Sequence, residues 1–383
     1  MNNIAEILFS LIRYELFGVE YDRDRSELND EKVLDGVCSL AAFHGMTHLI
    51  ADALGRLSVI PTNEKLASAL SREQLKAIFI SERIDGELDS LCRLFEEKKI
   101  EYIPLKGAVI RELYPEKWMR TSCDIDILVR RKDLEKAISA VREELGYKYL
   151  GTGNHDAGLV SPTGIHFELH YTLMDEGRSN RTLDEVWKHT HTEGDSKYRL
   201  YMDDDIFYLY HISHMAKHII NGGCGIKPLL DLHFIRYCGE DMLKEHRYEK
   251  FSQIARKLSD VWCKGEKHDD LTKQLEAFIL RGGTNGNLGN AIAVGQIKRG
   301  GKVKYVLSRI FLPYNSLKYY YPVIQKHKWL FPFCQVMRWY KLVFRDSGVK
   351  RFASELKTSA NLSDEQTNSV DLLLSELDLS KVK

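Results

Sequence analysis

What this 383-residue chain lacks narrows its class before any motif is read. It has no excess of charge of either sign. Fifty-five basic residues balance 55 acidic ones, unlike the overall basic character of a dedicated nucleic-acid binder, although a local basic patch stays open. Cysteine is sparse and unpatterned: Cys38, Cys92, Cys123, Cys224, Cys238, Cys263 and Cys334 are scattered, odd in number and never spaced C-x2-C. Neither a disulfide framework nor a zinc ribbon follows. The opening stretch MNNIAEILFSLIRYELFGVE lacks a basic n-region, a long apolar run and a cleavage motif, which predicts a folded amphipathic helix in a cytoplasmic protein. The apolar fraction, 44%, can fill the core of one large or two modest domains.

What is present is concentrated in residues 102–129 and 165–173. A short apolar strand, Tyr102 to Leu105, runs into Lys106-Gly107, which opens a helical segment as far as Tyr114, and Pro115 ends it. In Asp124-Ile125-Asp126-Ile127-Leu128-Val129, strand alternation sends the isoleucines and Val129 to one face and both aspartates to the other. Two like charges side by side repel unless a cation lies between them. Mg2+ suits such a pair, because it takes carboxylate oxygens and completes its shell with water and phosphate. In Ile165-His166-Phe167-Glu168-Leu169-His170-Tyr171, Glu168 shares a face with His166 and His170 and supplies a third carboxylate. Two metal ions on three carboxylates match the scheme for in-line nucleotidyl transfer. A D-x-D triplet also occurs by chance on solvated strands. The order Lys-Gly turn, D-x-D strand, later acidic strand, within one small α/β unit, favours the metal reading.

These residues resemble the uncharacterised nucleotidyltransferase-like proteins of the DNA polymerase β-type nucleotidyltransferase superfamily. The matching positions are Pro104-Leu105-Lys106-Gly107-Ala108, Leu113-Tyr114-Pro115, Arg120, Asp124 to Val129, Glu168-Leu169-His170, His214-Met215-Ala216-Lys217-His218 and Asp231. The resemblance extends from the N-terminal helices to about residue 345. It implies an α+β fold: a polymerase β-type core of small mixed sheet and helices, flanked by N-terminal and C-terminal helical regions. It further implies phosphate binding at Gly107 and metal binding at Asp124, Asp126 and Glu168. The turn departs from the superfamily's Gly-Ser or Gly-Gly: Lys106-Gly107-Ala108 has no serine hydroxyl for phosphate, leaving backbone N–H groups and the Lys106 charge.

Along the chain we expect an N-terminal helical region over 1–98, the nucleotidyltransferase core over 99–182, a C-terminal helical domain over 183–358 and an acidic, loosely held terminal helix or tail over 359–383. Helices are predicted within Ala69–Lys99, over Lys132–Leu145 ending at Gly146, over Asp205–Ile220, and over Lys227–Tyr237 after the Gly222-Gly223-Cys224-Gly225 break. His211, His214 and His218 share a helix face and could form a zinc site, a phosphate-facing cluster or the polar lining of a cleft. Lys217 and His218 could reach a triphosphate. Asp231 could orient a histidine or Lys227, or pair within the helical domain. Arg120 could contact phosphate or anchor its turn through backbone carbonyls, and His170 could stand behind Glu168. The run Gly282 to Gly289 lacks a preceding strand and a G-K-[ST] ending, which makes it a surface loop.

Residues 298–351 set thirteen basic residues against the single acid Asp346, interleaved with aromatics such as Tyr319, Tyr320, Tyr321, Trp329 and Trp339. The pattern suits helices packed on the body with basic outer faces, with a peripheral membrane or nucleic-acid contact as the alternative. It holds no run of the ~18 apolar residues a membrane span needs. The reading is a nucleotidyltransferase moving an NMP from Mg2+-NTP to a hydroxyl of an unidentified acceptor. Asp124, Asp126 and Glu168 would hold the metals, with Lys106, Gly107, Ala108, Arg120, His214, Lys217, His218 and Asp231 around the nucleotide. The rivals are an inactive nucleotide-binding protein and a scaffold attached through 298–351.

Overall fold

Short polar side chains start two of the helices of the N-terminal third, where unbonded backbone N–H groups need acceptors. In the computed structural model, α1 (Asn2–Phe17) is followed by α2 (Glu31–Phe43), α3 (Thr47–Arg56) and α4 (Glu64–Glu97). Asp30 accepts from the amides of Lys32 and Val33 to start α2, and Asn63 from those of Lys65 and Leu66 to start α4. Each such cap contributes about 1 kcal/mol. The structure describes residues 2–173, 181–237, 241–284, 286–344 and 348–380. Cys238, Asn285, Arg345 and Asp346 lie outside the described residues.

Next come β1 (Tyr102–Pro104), the one-turn α5 (Gly107–Ile110), β2 (Asp124–Val129), α6 (Leu134–Glu144), β3 (Lys148–Thr152), β4 (Asp156–Val160) and β5 (His166–His170). The strands form one mixed sheet in the order β1-β2-β5-β4-β3. β1 runs antiparallel to β2, while β5 runs parallel to it. A parallel neighbour requires a crossover, and α6 with the β3–β4 hairpin provides it. Gly146, the predicted stop of α6, has φ 69°, a left-handed conformation that glycine adopts at least cost.

One face of the sheet is sealed. Ile84, Leu88, Leu91 and Phe95 of α4 and Leu134, Ala137 and Val141 of α6 pack in one cluster with Ile125, Ile127, Val129, Leu159, Phe167 and Leu169. Burying each of the larger side chains contributes about 1.5–3 kcal/mol. Alternation then turns Asp124, Asp126, Glu168 and His170 to the opposite face.

The chain continues through α7 (Arg181–Asp184), β6 (Thr190–His191), β7 (Tyr201–Met202), α8 (Asp204–Ile219), α9 (Lys227–Phe234), α10 (Asp241–Glu245), α11 (Glu249–Lys264) and α12 (Asp270–Gly282). It divides into two units: Met1–Ala216 with Ile226–Lys273, and Lys217–Gly225 with Gln274–Val382. The sheet and much of the helical stretch after 183 therefore share the first unit, where Phe9 of α1 stacks on Trp262 of α11 with ring centroids 4.3 Å apart.

The second unit holds α13 (Leu288–Arg299), α14 (Lys302–Ile310), α15 (Tyr314–Tyr320), α16 (Val323–Lys326), α17 (Phe331–Phe344), α18 (Gly348–Asn361) and α19 (Asp364–Glu376). Its glycine-rich run packs rather than loops free. Gly286 has φ 74°, and a Cβ there would meet the Gly222 carbonyl carbon at 2.7 Å, so two backbones touch where side chains would hold them apart. The acidic end, expected to be loosely held, is α19, with a Ser363–Gln366 capping box and Val370, Leu373, Leu374 and Leu377 buried at helical spacing. Among the described residues no helix is long and apolar enough to cross a membrane.

Candidate active site

The parallel pairing of β2 with β5 sets Asp126 opposite Glu168 and Leu128 opposite His170. His170 Nε2 lies 2.8 Å from an Asp126 oxygen and 3.4 Å from a Glu168 oxygen. Asp126 and His170 are buried, and the Glu168 side chain is 39% exposed. One donor atom from each of these three can lie within 4.8 Å of the others, the one such group among the described residues. Asp126, Glu168 and His170 thus fit a metal-binding triad.

Lys106 enters from the turn before α5. Its Nζ stands 3.4 Å from the second Asp126 oxygen, and Tyr210 of α8 is close enough to interact with its charge. Its backbone sits at φ 41°, ψ −115°, a conformation costing a residue with a side chain about 1–3 kcal/mol. Burial disfavours the Lys106 charge, yet Tyr210, Asp126, Glu168 and Asp124 together hold its pKa above the usual lysine range. Burial likewise pushes Asp126 up, and Lys106 and His170 outweigh it, holding this carboxyl below the usual range. His170 is raised, because its bonds to Asp126 and Glu168 exceed the penalty of burial.

Asp124 stands apart from the triad on the same strand face. Ser122 Oγ donates to its Oδ1 at 2.9 Å. Burial, then Asp126 and Glu168, raise its pKa against the Ser122 bond and Lys106. Gly107 closes on the same serine: a Cβ at 107 would meet Ser122 Oγ at 2.9 Å. Within the turn the Ala108 amide donates to the Leu105 carbonyl at 3.1 Å, and the amides of Val109 and Ile110 donate to the Lys106 carbonyl.

The loop leading into β2 is braced from α9. Arg120 Nε and Nη2 each donate to Asp231 at 2.8 Å, its Nη1 donates to the Thr121 carbonyl, and the Tyr114 hydroxyl donates to Asp231 at 2.8 Å. Asp231 is fully buried. Lys227 donates to Thr121 Oγ1 at 2.6 Å, and burial with the neighbouring Arg120 charge brings its pKa down to about 8. His211 Nε2 meets the Pro228 carbonyl at 2.8 Å, so this ring nitrogen is engaged within the helical layer. His214 lies 6.2 Å, ring to ring, from Tyr210. Lys217 and His218 fall in the second unit.

Tyr210 was not singled out by sequence reasoning. Its signal is modest: it stands four residues before His214 on one helix face.

A family model described as an uncharacterised nucleotidyltransferase matches residues 31–250. No curated protein and no solved structure matches the chain. The matched stretch exceeds half of the chain and runs from α2 through the sheet to the start of α11, so it contains Lys106, both aspartates, Glu168 and His170. On this match and this fold, the chain belongs to that family of uncharacterised nucleotidyltransferases.

Proposed function

We propose that this chain transfers a nucleoside monophosphate from a Mg2+-bound nucleoside triphosphate to a hydroxyl of an acceptor, releasing pyrophosphate. The observation that carries the reading is the Asp126–Glu168 pair, in register on adjacent parallel strands and countered by Lys106. The donor set suits a divalent ion: carboxylate oxygens favour Mg2+, and the His170 nitrogen widens the choice to Mn2+ or Zn2+. When bound by Asp124, Asp126 and Glu168, two Mg2+ ions would polarise the α-phosphate and neutralise the leaving pyrophosphate.

In the reaction the acceptor oxygen attacks the α-phosphorus, the bond from that phosphorus to the bridging oxygen breaks, and pyrophosphate leaves with the electron pair. Glu168, the most open of the triad, would take the hydroxyl proton or complete the ligand set. Lys106 would exchange Asp126 for the β- and γ-phosphates, with Tyr210 steering it and the Gly107 amide beside it. Arg120 and Asp231 would brace the loop before β2 and leave the nucleotide to others. A second reading, nucleotide binding without turnover, is favoured by the Ala108 amide, already bonded to Leu105 in a turn that has no serine hydroxyl.

Calorimetric titration with each of the four NTPs plus Mg2+, on the wild type and on an Asp124→Asn, Asp126→Asn double variant, tests the site. Metal-dependent binding that the variant loses supports it, and label transfer from an α-labelled NTP then separates turnover from binding. Equal binding by the variant removes these carboxylates from the site.

A further inference from the structure

Apolar periodicity on a helix ordinarily marks its buried face. On α17 it marks the exposed one. Phe333, Val336, Met337, Tyr340 and Phe344 are 52–72% exposed, and their spacing covers an arc of roughly 100° on a 3.6-residue helix. The inner face is fixed by other contacts. Cys334 and Gln335 are buried, Arg338 donates to the carbonyls of Arg309 and Ile310 at 3.1 Å, and Trp339 donates to Ile310 at 3.2 Å. α14 repeats the pattern: Val303, Leu307 and the following Phe311 are exposed at every fourth position while Tyr305 is buried. Tyr320 and Trp329 are exposed as well, and so are Lys302, Lys304, Lys326, Lys328 and Lys341.

We propose that this surface of the second unit binds the face of an anionic lipid bilayer, with the apolar stripe of α17 among the headgroups and the lysines at lipid phosphates or carboxylates. Three features select lipid. Val303, Leu307, Val336 and Met337 offer a nucleic-acid base nothing to stack on, whereas a single-strand platform needs aromatic faces along a cationic groove. Tyr320, Trp329 and Tyr340 have the apolar body and polar tip that settle at a membrane interface. Thirteen basic residues stand against one acid over 298–351, so a second copy would bring like charge to the contact while an anionic membrane brings the complement. The proposal is independent of the catalytic reading.

The test is co-sedimentation of the full chain with vesicles of phosphatidylcholine alone and of phosphatidylcholine with phosphatidylserine, at low and high salt. Binding is expected only with phosphatidylserine and should weaken as salt rises. A Lys326→Gln, Lys328→Gln, Lys341→Gln variant should lose roughly a hundredfold in affinity, about fivefold per lysine near an anionic surface. A Phe333→Ser, Val336→Ser, Tyr340→Ser variant should also lose binding, with its thermal unfolding retained because those side chains already face solvent. Absence of binding to anionic vesicles overturns the proposal, as does binding that both variants retain. Displacement by a single-stranded oligonucleotide at stoichiometric amounts, or self-association that the serine variant abolishes, assigns the surface to another partner.

Discussion

Asp231→Ala should damage stability before it touches chemistry. Asp231 is fully buried and accepts both 2.8 Å bonds from Arg120 together with the Tyr114 hydroxyl, while the Arg120 side chain is 13% exposed. Alanine leaves a buried guanidinium without its counterion and a buried phenol without its acceptor. Breaking a buried pair from one side costs about 3–5 kcal/mol. In a unit of this size each kcal/mol lowers the melting temperature by about 2–4 °C, so thermal unfolding of the first unit, followed by near-ultraviolet circular dichroism, should drop by roughly 10 °C. An Arg120→Met, Asp231→Leu variant, which removes both charges and refills the volume, should recover much of that loss. If Arg120 instead served the nucleotide, Asp231→Ala would leave the melt within about 1 kcal/mol of wild type and the damage would appear in NTP affinity alone. That outcome would refute the brace.

Three further outcomes follow from the same geometry. His170→Ala should weaken Mn2+ binding by about 10–100-fold, as loss of an orienting partner does, and Asp126→Asn should weaken it more; a paramagnetic Mn2+ titration reads both. His48, buried with Nε2 3.0 Å from the Met119 carbonyl, has its pKa pushed down to about 4 by burial. The unfolded chain takes up a proton near pH 6.5 that folded His48 refuses, so this stability is full above pH 6.5 and fades as pH falls toward 4, by about 3 kcal/mol in all. Urea unfolding at pH 7 and pH 5 should show the decline in wild type, and a shallower one in His48→Gln. Gly286→Ala puts a methyl 2.7 Å from the Gly222 backbone at φ 74° and should destabilise the second unit by more than about 1 kcal/mol, seen as faster hydrogen exchange over 217–225 and 286–290.

Local pattern made the sheet's centre legible. The alternation in Asp124 to Val129 specified which face each carboxylate takes, and the Lys-Gly turn before a helix and the stop at Gly146 were plain. What escaped were relations carried by distant pairing. Arg120 and Asp231 are 111 positions apart, and nothing in either neighbourhood says that they meet. Tyr210, 104 positions after Lys106, interacts with its charge only through the fold. Periodicity also groups residues on a face without saying which way the face points. For α19 the stripe points inward and makes an acidic segment part of the second unit's core; for α17 it points outward.

The β2–β5 pairing has a thermodynamic consequence. Asp126 and His170 are 44 positions apart and become neighbours only when those two strands align. An unfolded chain therefore offers a cation no assembled cluster, and any ion that occupies it binds the native state alone. Its free concentration then enters the folding equilibrium directly: at one hundred times the dissociation constant it would add about 2.7 kcal/mol of stability. Chelation and dilution would then be folding variables, and Lys106, 3.4 Å from Asp126, is a tethered cation that competes for the same carboxylate.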